Sequence, residues 1–189
     1  MRVVQLSRNR GKGFAVRAGM LMARGQLLLM ADADGATGIR ELERLEQALA
    51  AGAEEGGPQM AFGSRHHLRE EALAQRSWHR SVLALGLQLA VWLIVGGPVR
   101  DTQCGFKLFR ARVAKHIFSS LHLYRWAFDI EVVILAHIFG ARIAEVPVTW
   151  VEMPGSKLGL LTGAATMLRD MVVAQALYAL GLWHPTCAL

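Results

Sequence analysis

The run Leu27-Leu28-Leu29-Met30-Ala31, followed at once by Asp32-Ala33-Asp34-Gly35, decides how this chain reads. A short continuous apolar run bounded by Gly25 and Gly35 has the length of a buried strand. Side chains of an extended segment alternate between faces, so Asp32 and Asp34 are expected on one face where the strand ends. Hard anionic oxygens in that place suit a divalent cation, Mg²⁺ or Mn²⁺, which can in turn hold a diphosphate. The competing reading is a helix cap, because Gly35-Ala36-Thr37-Gly38 has turn composition and precedes a helical pattern.

Working outward from that strand, the upstream chain reads as a short strand over Arg2–Leu6 and a helix over Gly11–Arg24. Downstream, Ile39–Ala50 reads as a helix with Glu41, Arg44 and Glu46 on its solvent side, and Gln59–Gly63 as another short strand. Later strands are expected at Phe106–Phe109 and Arg142–Val148, with helices at Ala111–Phe118 and Phe128–Phe139. Strands alternating with helices predict an α/β sheet, whose ligands lie beyond the carboxyl ends of its strands. Asp34 and Ser64 fall at such ends. Ala51–Pro58 has the composition of a surface loop.

Two further stretches differ in character. Residues 70–80 carry Arg76, His79 and Arg80 among apolar residues, and Ser81–Val99 contains no charge. A spanning helix needs roughly 20 apolar residues, and this run is interrupted by Gln88 and by Gly96-Gly97-Pro98. It reads as a helix packed on the domain or lying in a membrane interface. A second apolar helix is expected over Leu158–Leu182. The whole chain, 1–189, then forms a single domain with interface helices near 70–97 and 158–182.

Composition narrows the partners. The 189 residues are 53% apolar and 19% charged, with mean hydropathy +0.29, formal charge +6 and pI about 10.0. Apolar surface and positive charge favour a membrane surface and anionic ligands such as phosphates. Nucleic acid is not favoured, because the aromatic residues sit inside apolar runs and do not interleave with basic ones. Cys104 and Cys187 are far apart and form no metal or redox motif, which fits a reducing compartment. No signal peptide opens the chain.

Several short motifs carry candidate chemistry. Asn9-Arg10-Gly11-Lys12-Gly13 places a glycine-flanked lysine at a helix start, where a phosphate or a plain solvated cap both fit. Gly63-Ser64-Arg65-His66-His67 follows a strand, and Arg65 is suited to grip a phosphate. The adjacent histidines face opposite ways on extended chain and read as structural. Arg100-Asp101-Thr102-Gln103-Cys104-Gly105-Phe106-Lys107 is the densest polar cluster, read either as an ordinary ion pair or as Asp101 placed near a reacting centre. Asp129 reads as the cap of the helix that follows Trp126-Ala127. Gly155-Ser156-Lys157 is a turn with a cation.

Taken together and in order, these motifs resemble the inverting glycosyltransferases of family 2, in particular those acting on a polyprenyl phosphate. The likeness rests on NRGKG at 9–13, MADADGAT at 30–37, GSR at 63–65 and AQRS at 74–77. It continues through RDTQCGFKLF at 100–109, FSSLH at 118–122, RWAFDIE at 125–131 and GSKL at 155–158. The resemblance implies a GT-A (Rossmann-like) fold and transfer of glucose from UDP-glucose to dolichyl phosphate at the cytosolic face of the endoplasmic reticulum membrane, for protein N-glycosylation. It further implies that Asp32 and Asp34 hold the Mg²⁺ or Mn²⁺, with Lys12 beside the donor. Arg65, Arg76 and Arg80 would bind the acceptor phosphate, Asp101 would be the catalytic residue, and Val82–Val95 would meet the lipid chain. Family members usually carry a membrane anchor and two early motifs, resembling P-x-Y-N-E and D-D-G-S, that build much of the nucleotide pocket. Here the chain starts at what resembles their third strand. The resemblance therefore implies a partial fold lacking its first strands, with Arg2–Leu6 exposing a sheet edge. Two other readings remain open: a catalytically inactive, membrane-associated binding partner, and a related polyprenyl-phosphate mannosyltransferase.

Overall fold

The computed structural model describes residues 3–51, 56–66, 99–151 and 160–186. Its strands are β1 (Leu27–Ala31), β2 (Met60–Ser64), β3 (Phe106–Arg110) and β4 (Ile143–Pro147). Its helices are α1 (Lys12–Met22), α2 (Leu42–Ala50, entered through a 3-10 turn at Ile39–Glu41), α3 (Ala111–Ser120), α4 (Phe128–Ile138) and α5 (Leu160–Ala179). The strands form one mixed sheet in the order β1-β3-β2-β4. β3 runs antiparallel to both β1 and β2, while β4 runs parallel to β2. The α/β class and most element positions agree with the sequence reading to within a residue or two.

Period-two alternation sorts the sheet residues between two cores. Leu28, Met30, Met60, Phe62 and Phe109 point to one face, where Met20 of α1, Ile117 and Phe118 of α3, and Phe128 and Val132 of α4 cover them. Ala61, Phe106 and Leu108 point to the other face and meet Leu45 and Leu49 of α2. β2 is buried along its whole length, as a strand with neighbours on both edges and helices on both faces must be. A charged residue interrupts the apolar pattern: Lys107 shares a face with Phe109 and is completely buried.

The helices on the larger core face are locked to one another through their ends. The last carbonyls of a helix lack intrahelical donors and carry negative partial charge. Lys115 of α3 donates to the carbonyls of Met20 and Ala23 at the end of α1, at 2.9 and 2.7 Å. Arg17 of α1 reciprocates, donating to the carbonyls of Phe118 and Ser119 at the end of α3 at 2.8 and 3.3 Å.

One local expectation is corrected. Residues 3–6 form no strand, and Val3 and Val4 are 78% and 53% exposed. Among the described residues they find no strand to pair with, and an isolated extended segment has no ladder to hold it. Of the two interface helices, the segment near 70–97 lies outside the described residues. The one near 158–182 is described as α5, which packs Met171 and Ala174 inward while leaving Val172 and Val173 half exposed. No helix among the described residues is long and apolar enough to cross a membrane.

Candidate active site

Strand directions gather the polar motifs at one rim. Ala31, the last residue of β1, pairs with Phe106, the first of β3, and Phe62 near the end of β2 pairs with Lys107. The carboxyl ends of β1 and β2 therefore lie beside the entry to β3. The carboxyl end of β4 joins them, since Ser64 is in register with Pro147. Asp32, Asp34, Arg65, Asp101 and Cys104 all follow or precede these strand ends in the chain.

Asp32 leaves the sheet with its N–H bonded to the carbonyl of Gly105 at 2.9 Å. Its carboxylate lies directly over that glycine: a Cβ at position 105 would come within 2.1 Å of Asp32 Oδ2. Gly105 is thus the residue that makes room for Asp32. The same oxygen accepts a bond from Lys12 Nζ at 2.8 Å, which brings the start of α1 to the rim. Gly11 makes that approach possible, with φ of 98° and no Cβ to strike the carbonyl of Tyr124, which would be 2.3 Å away.

Asp34 does not sit on extended chain as expected. β1 ends at Ala31, residues 33–34 form a turn completed by Gly35 at φ 76°, and Asp34 Oδ1 accepts the N–H of Ala36 at 3.0 Å. An aspartate that bonds the backbone two residues on stabilises such a turn by itself. Both carboxylates are solvent-accessible, and each keeps one oxygen with no hydrogen-bond partner among the described residues. That donor set fits Mg²⁺ or Mn²⁺, which take one or two carboxylates and complete their shell with water and substrate phosphate. Among the described residues no cluster of three or more acidic, histidine or cysteine side chains forms a self-sufficient metal cage.

Arg65 and Asp101, read separately from the sequence, form a single unit. The guanidinium meets the carboxylate through two bonds, Nε to Oδ2 at 2.8 Å and Nη2 to Oδ1 at 2.9 Å, and the backbone N–H of Arg65 adds a third to Oδ2 at 2.9 Å. The ion pair expected for Asp101 within its own motif is therefore made with Arg65. Asp101 is 1% exposed, and its N–H donates to Glu145 Oε1 at 3.0 Å. Burial works against the charge on Arg65, but the hydrogen bonds and charge of Asp101 outweigh it and hold the guanidinium more firmly protonated than usual. The Arg65 guanidinium carbon also lies 5.3 Å from the centre of the Trp150 ring. Cys104 lies below this pair, its thiol pushed up in pKa by burial and by the charge of Asp101. Arg76, Arg80, His67 and the turn 155–157 lie outside the described residues.

Beneath the rim sits a buried ion pair that the sequence reading missed. Lys107 Nζ bonds Asp129 Oδ1 and also donates to the carbonyl of Cys104 at 2.7 Å. Asp129 was expected to cap α4, but Ala127 occupies the cap and Asp129 lies inside the helix, 3% exposed. The reason is charge: a lysine on the core face of a strand needs a buried counter-ion. Burial raises the pKa of Asp129, Lys107 and Lys12 oppose that rise, and Asp32 adds to it. Asp129 thus senses the Lys12–Asp32 pair above it. One helical step on, Glu131 is fully buried and accepts the N–H groups of His122 at 2.9 Å and Leu123 at 2.6 Å, and the Tyr178 hydroxyl at 2.7 Å. The signal for both acids was present: a lysine in the core register of FKLF, and two carboxylates in the otherwise apolar FDIEVVILA.

Residues 1–118 match the family model described as glycosyl transferase family 2. The chain is 45% identical over 186 residues to the dolichyl-phosphate beta-glucosyltransferase of Homo sapiens, covering 97% of this chain and 57% of that protein. It is 47% identical over 185 residues to the protein of the same name from Drosophila melanogaster, with the same coverage. Against that of Saccharomyces cerevisiae it is 39% identical over 190 residues. The chain spans 57% of the length of these curated relatives.

Proposed function

Because the chain belongs to glycosyltransferase family 2, we propose that it forms a partial GT-A domain that transfers glucose from UDP-glucose to dolichyl phosphate with inversion at the sugar. The observation that carries this reading is the Asp32–Lys12 contact, seated on Gly105 at a rim where strand ends converge. The relatives' name supplies the acceptor and the sugar, and the family likeness supplies the nucleotide. The domain is proposed to work at the cytosolic face of the endoplasmic reticulum, its apolar segments near 70–97 and 158–182 at the membrane surface.

In this proposal Asp32 and Asp34 hold Mg²⁺ or Mn²⁺, which, when bound, stabilises negative charge on a departing diphosphate. Lys12 sets a positive charge beside the same diphosphate and, through its bond to Asp32, fixes where that carboxylate points. The acceptor is a phosphate monoester, largely dianionic at neutral pH because its second pKa is about 6. It needs no general base. A phosphate oxygen forms the new bond to the anomeric carbon while the bond from that carbon to the UDP oxygen breaks, and UDP leaves with the electron pair. Arg65, with Arg76 and Arg80, is proposed to hold the acceptor phosphate. Asp101 then acts by positioning: its two bonds lock the guanidinium plane of Arg65 and leave the remaining N–H donors to turn outward.

A transfer assay with radiolabelled UDP-glucose and dolichyl phosphate tests the proposal, with the human relative as reference. Lipid-linked glucose formed by this chain and abolished by Asp34→Asn is the expected result. Product from the reference alone would refute autonomous transfer by this chain, and product from GDP-mannose in place of UDP-glucose would refute the assigned sugar.

A further inference from the structure

The chain that leaves β4 runs along the rim and is tied to both of its halves. Within the strand, Glu145 accepts the backbone N–H groups of Arg100 and Asp101 at 2.9 and 3.0 Å, which fixes the approach to β3. Just beyond the strand, Val148 is fully buried, and its N–H bonds the carbonyl of Ser64, the residue before Arg65, at 3.1 Å. Thr149 donates to the Glu41 carboxylate; burial raises the pKa of Glu41, but bonds from Thr149 and Arg44 outweigh that and hold it low. Trp150 forms an antiparallel bridge with Thr37, and the N–H of Val151 bonds the carbonyl of Ala36 at 2.9 Å. The N–H of Ala36 is the one that Asp34 Oδ1 accepts. Residues 148–151 therefore join the end of β2 to the turn that carries Asp34.

None of those ties uses the indole of Trp150. That ring goes to Arg65, whose guanidinium carbon lies over it, 5.3 Å from the ring centre. The contact complements what Asp101 does. Asp101 takes Nε and Nη2, so it holds the planar guanidinium along one edge and leaves rocking about that edge unopposed. An aromatic face against the cation supplies the missing constraint, because a guanidinium is attracted to the electron-rich face of a ring. Nη1 makes no hydrogen bond among the described residues. A planar cation held along one edge and over one face keeps a single edge for an oxyanion, already aimed before that anion arrives.

We propose that Trp150 is a positioning residue whose ring holds the Arg65 guanidinium with Nη1 toward an incoming phosphate monoester, acting through Arg65 and not on the reacting atoms. The proposal deepens the transfer reading and rests on its assignment of Arg65 to the acceptor phosphate. Calorimetric titration of the full chain with dodecyl phosphate in Mg²⁺ tests it without turnover. Trp150→Leu is expected to weaken that probe by about three- to tenfold, the scale of a lost cation–π contact. Trp150→Phe, which keeps an aromatic face, should recover most of the loss. Mn²⁺ binding and the thermal midpoint should move little in either variant, because the bridge to Thr37 is made by backbone. In the transfer assay, KM for dolichyl phosphate should rise by the same factor while kcat and KM for UDP-glucose hold. The paired change Arg65→Ala/Asp101→Ala removes both charges and leaves neither buried alone. In that background Trp150→Leu should cost nothing further. Binding that the paired change leaves at full strength, or no binding by the unaltered chain, removes Arg65 from the acceptor and the proposal with it. Binding that needs Arg65 yet ignores Trp150→Leu overturns the positioning role and leaves the transfer reading standing. A loss that appears only in step with lost Mn²⁺ binding and a lowered thermal midpoint overturns it equally.

Discussion

Gly105 and Asp32 show how far a single hydrogen in place of a methyl can matter. A Cβ at 105 would collide with the Asp32 carboxylate, the mobile end of an accessible side chain. Gly105→Ala is therefore expected to swing Asp32 off Lys12 at a cost to stability of about 1 kcal/mol or less. Mn²⁺ binding followed by electron paramagnetic resonance should drop sharply while the thermal midpoint stays nearly unchanged. Cys104 offers a different test. Burial and Asp101 raise its native pKa, so the native state holds the thiol proton more tightly than the unfolded chain does. That contribution is complete below the unfolded thiol value, about 8.5, and is lost as pH climbs through the raised native value. Denaturation midpoints should fall above that pH, and Cys104→Ala should flatten the decline. Asp32 and Asp34 were legible as a pair because the D-x-D closes an apolar strand. Their geometry was not, because the Asx turn at Asp34 depends on a local bond that spacing cannot reveal.

At the scale of elements, two kinds of tie hold the rim in place. Lys115 caps α1 and Arg17 caps α3, so each helix supplies the other's missing donors. Lys115→Met keeps the aliphatic stem and removes the donors, and should destabilise the fold by about 1–3 kcal/mol in urea titration. Arg65–Asp101 ties the chain leaving β2 to the chain entering β3. Removing one charge from a pair this buried typically costs about 3–5 kcal/mol. Asp101→Asn should therefore cost about 3 kcal/mol in the same titration, yet retain more transfer activity per folded molecule than Asp34→Asn. The elements themselves were legible wherever apolar period and turn residues agreed, as at Leu27–Ala31 and Phe106–Arg110. Lys107 and Asp129 escaped because each looks like an isolated polar residue until β3 and α4 are stacked.

For the molecule as a whole, α/β alternation predicted a sheet, and the described strands form one with the polar motifs gathered at one rim. Strand order was not legible. Nothing in the spacing of β1, α2 and β2 says that a later strand will separate the two strands they would otherwise pair. The position of β3 has a kinetic consequence. β1 and β2 are joined through α2 but do not touch, and the slot between them is filled by a segment that is translated some 40 residues later. Closing so long a loop is entropically slow, and long-range pairing delays folding. Until β3 inserts, Gly105 is not under Asp32, Asp101 has not reached Arg65, and Lys107 has no place beneath α4. The rim therefore comes into being in one late step together with the middle of the sheet. A nascent or partly unfolded chain carries all the polar residues of the site and none of its arrangement.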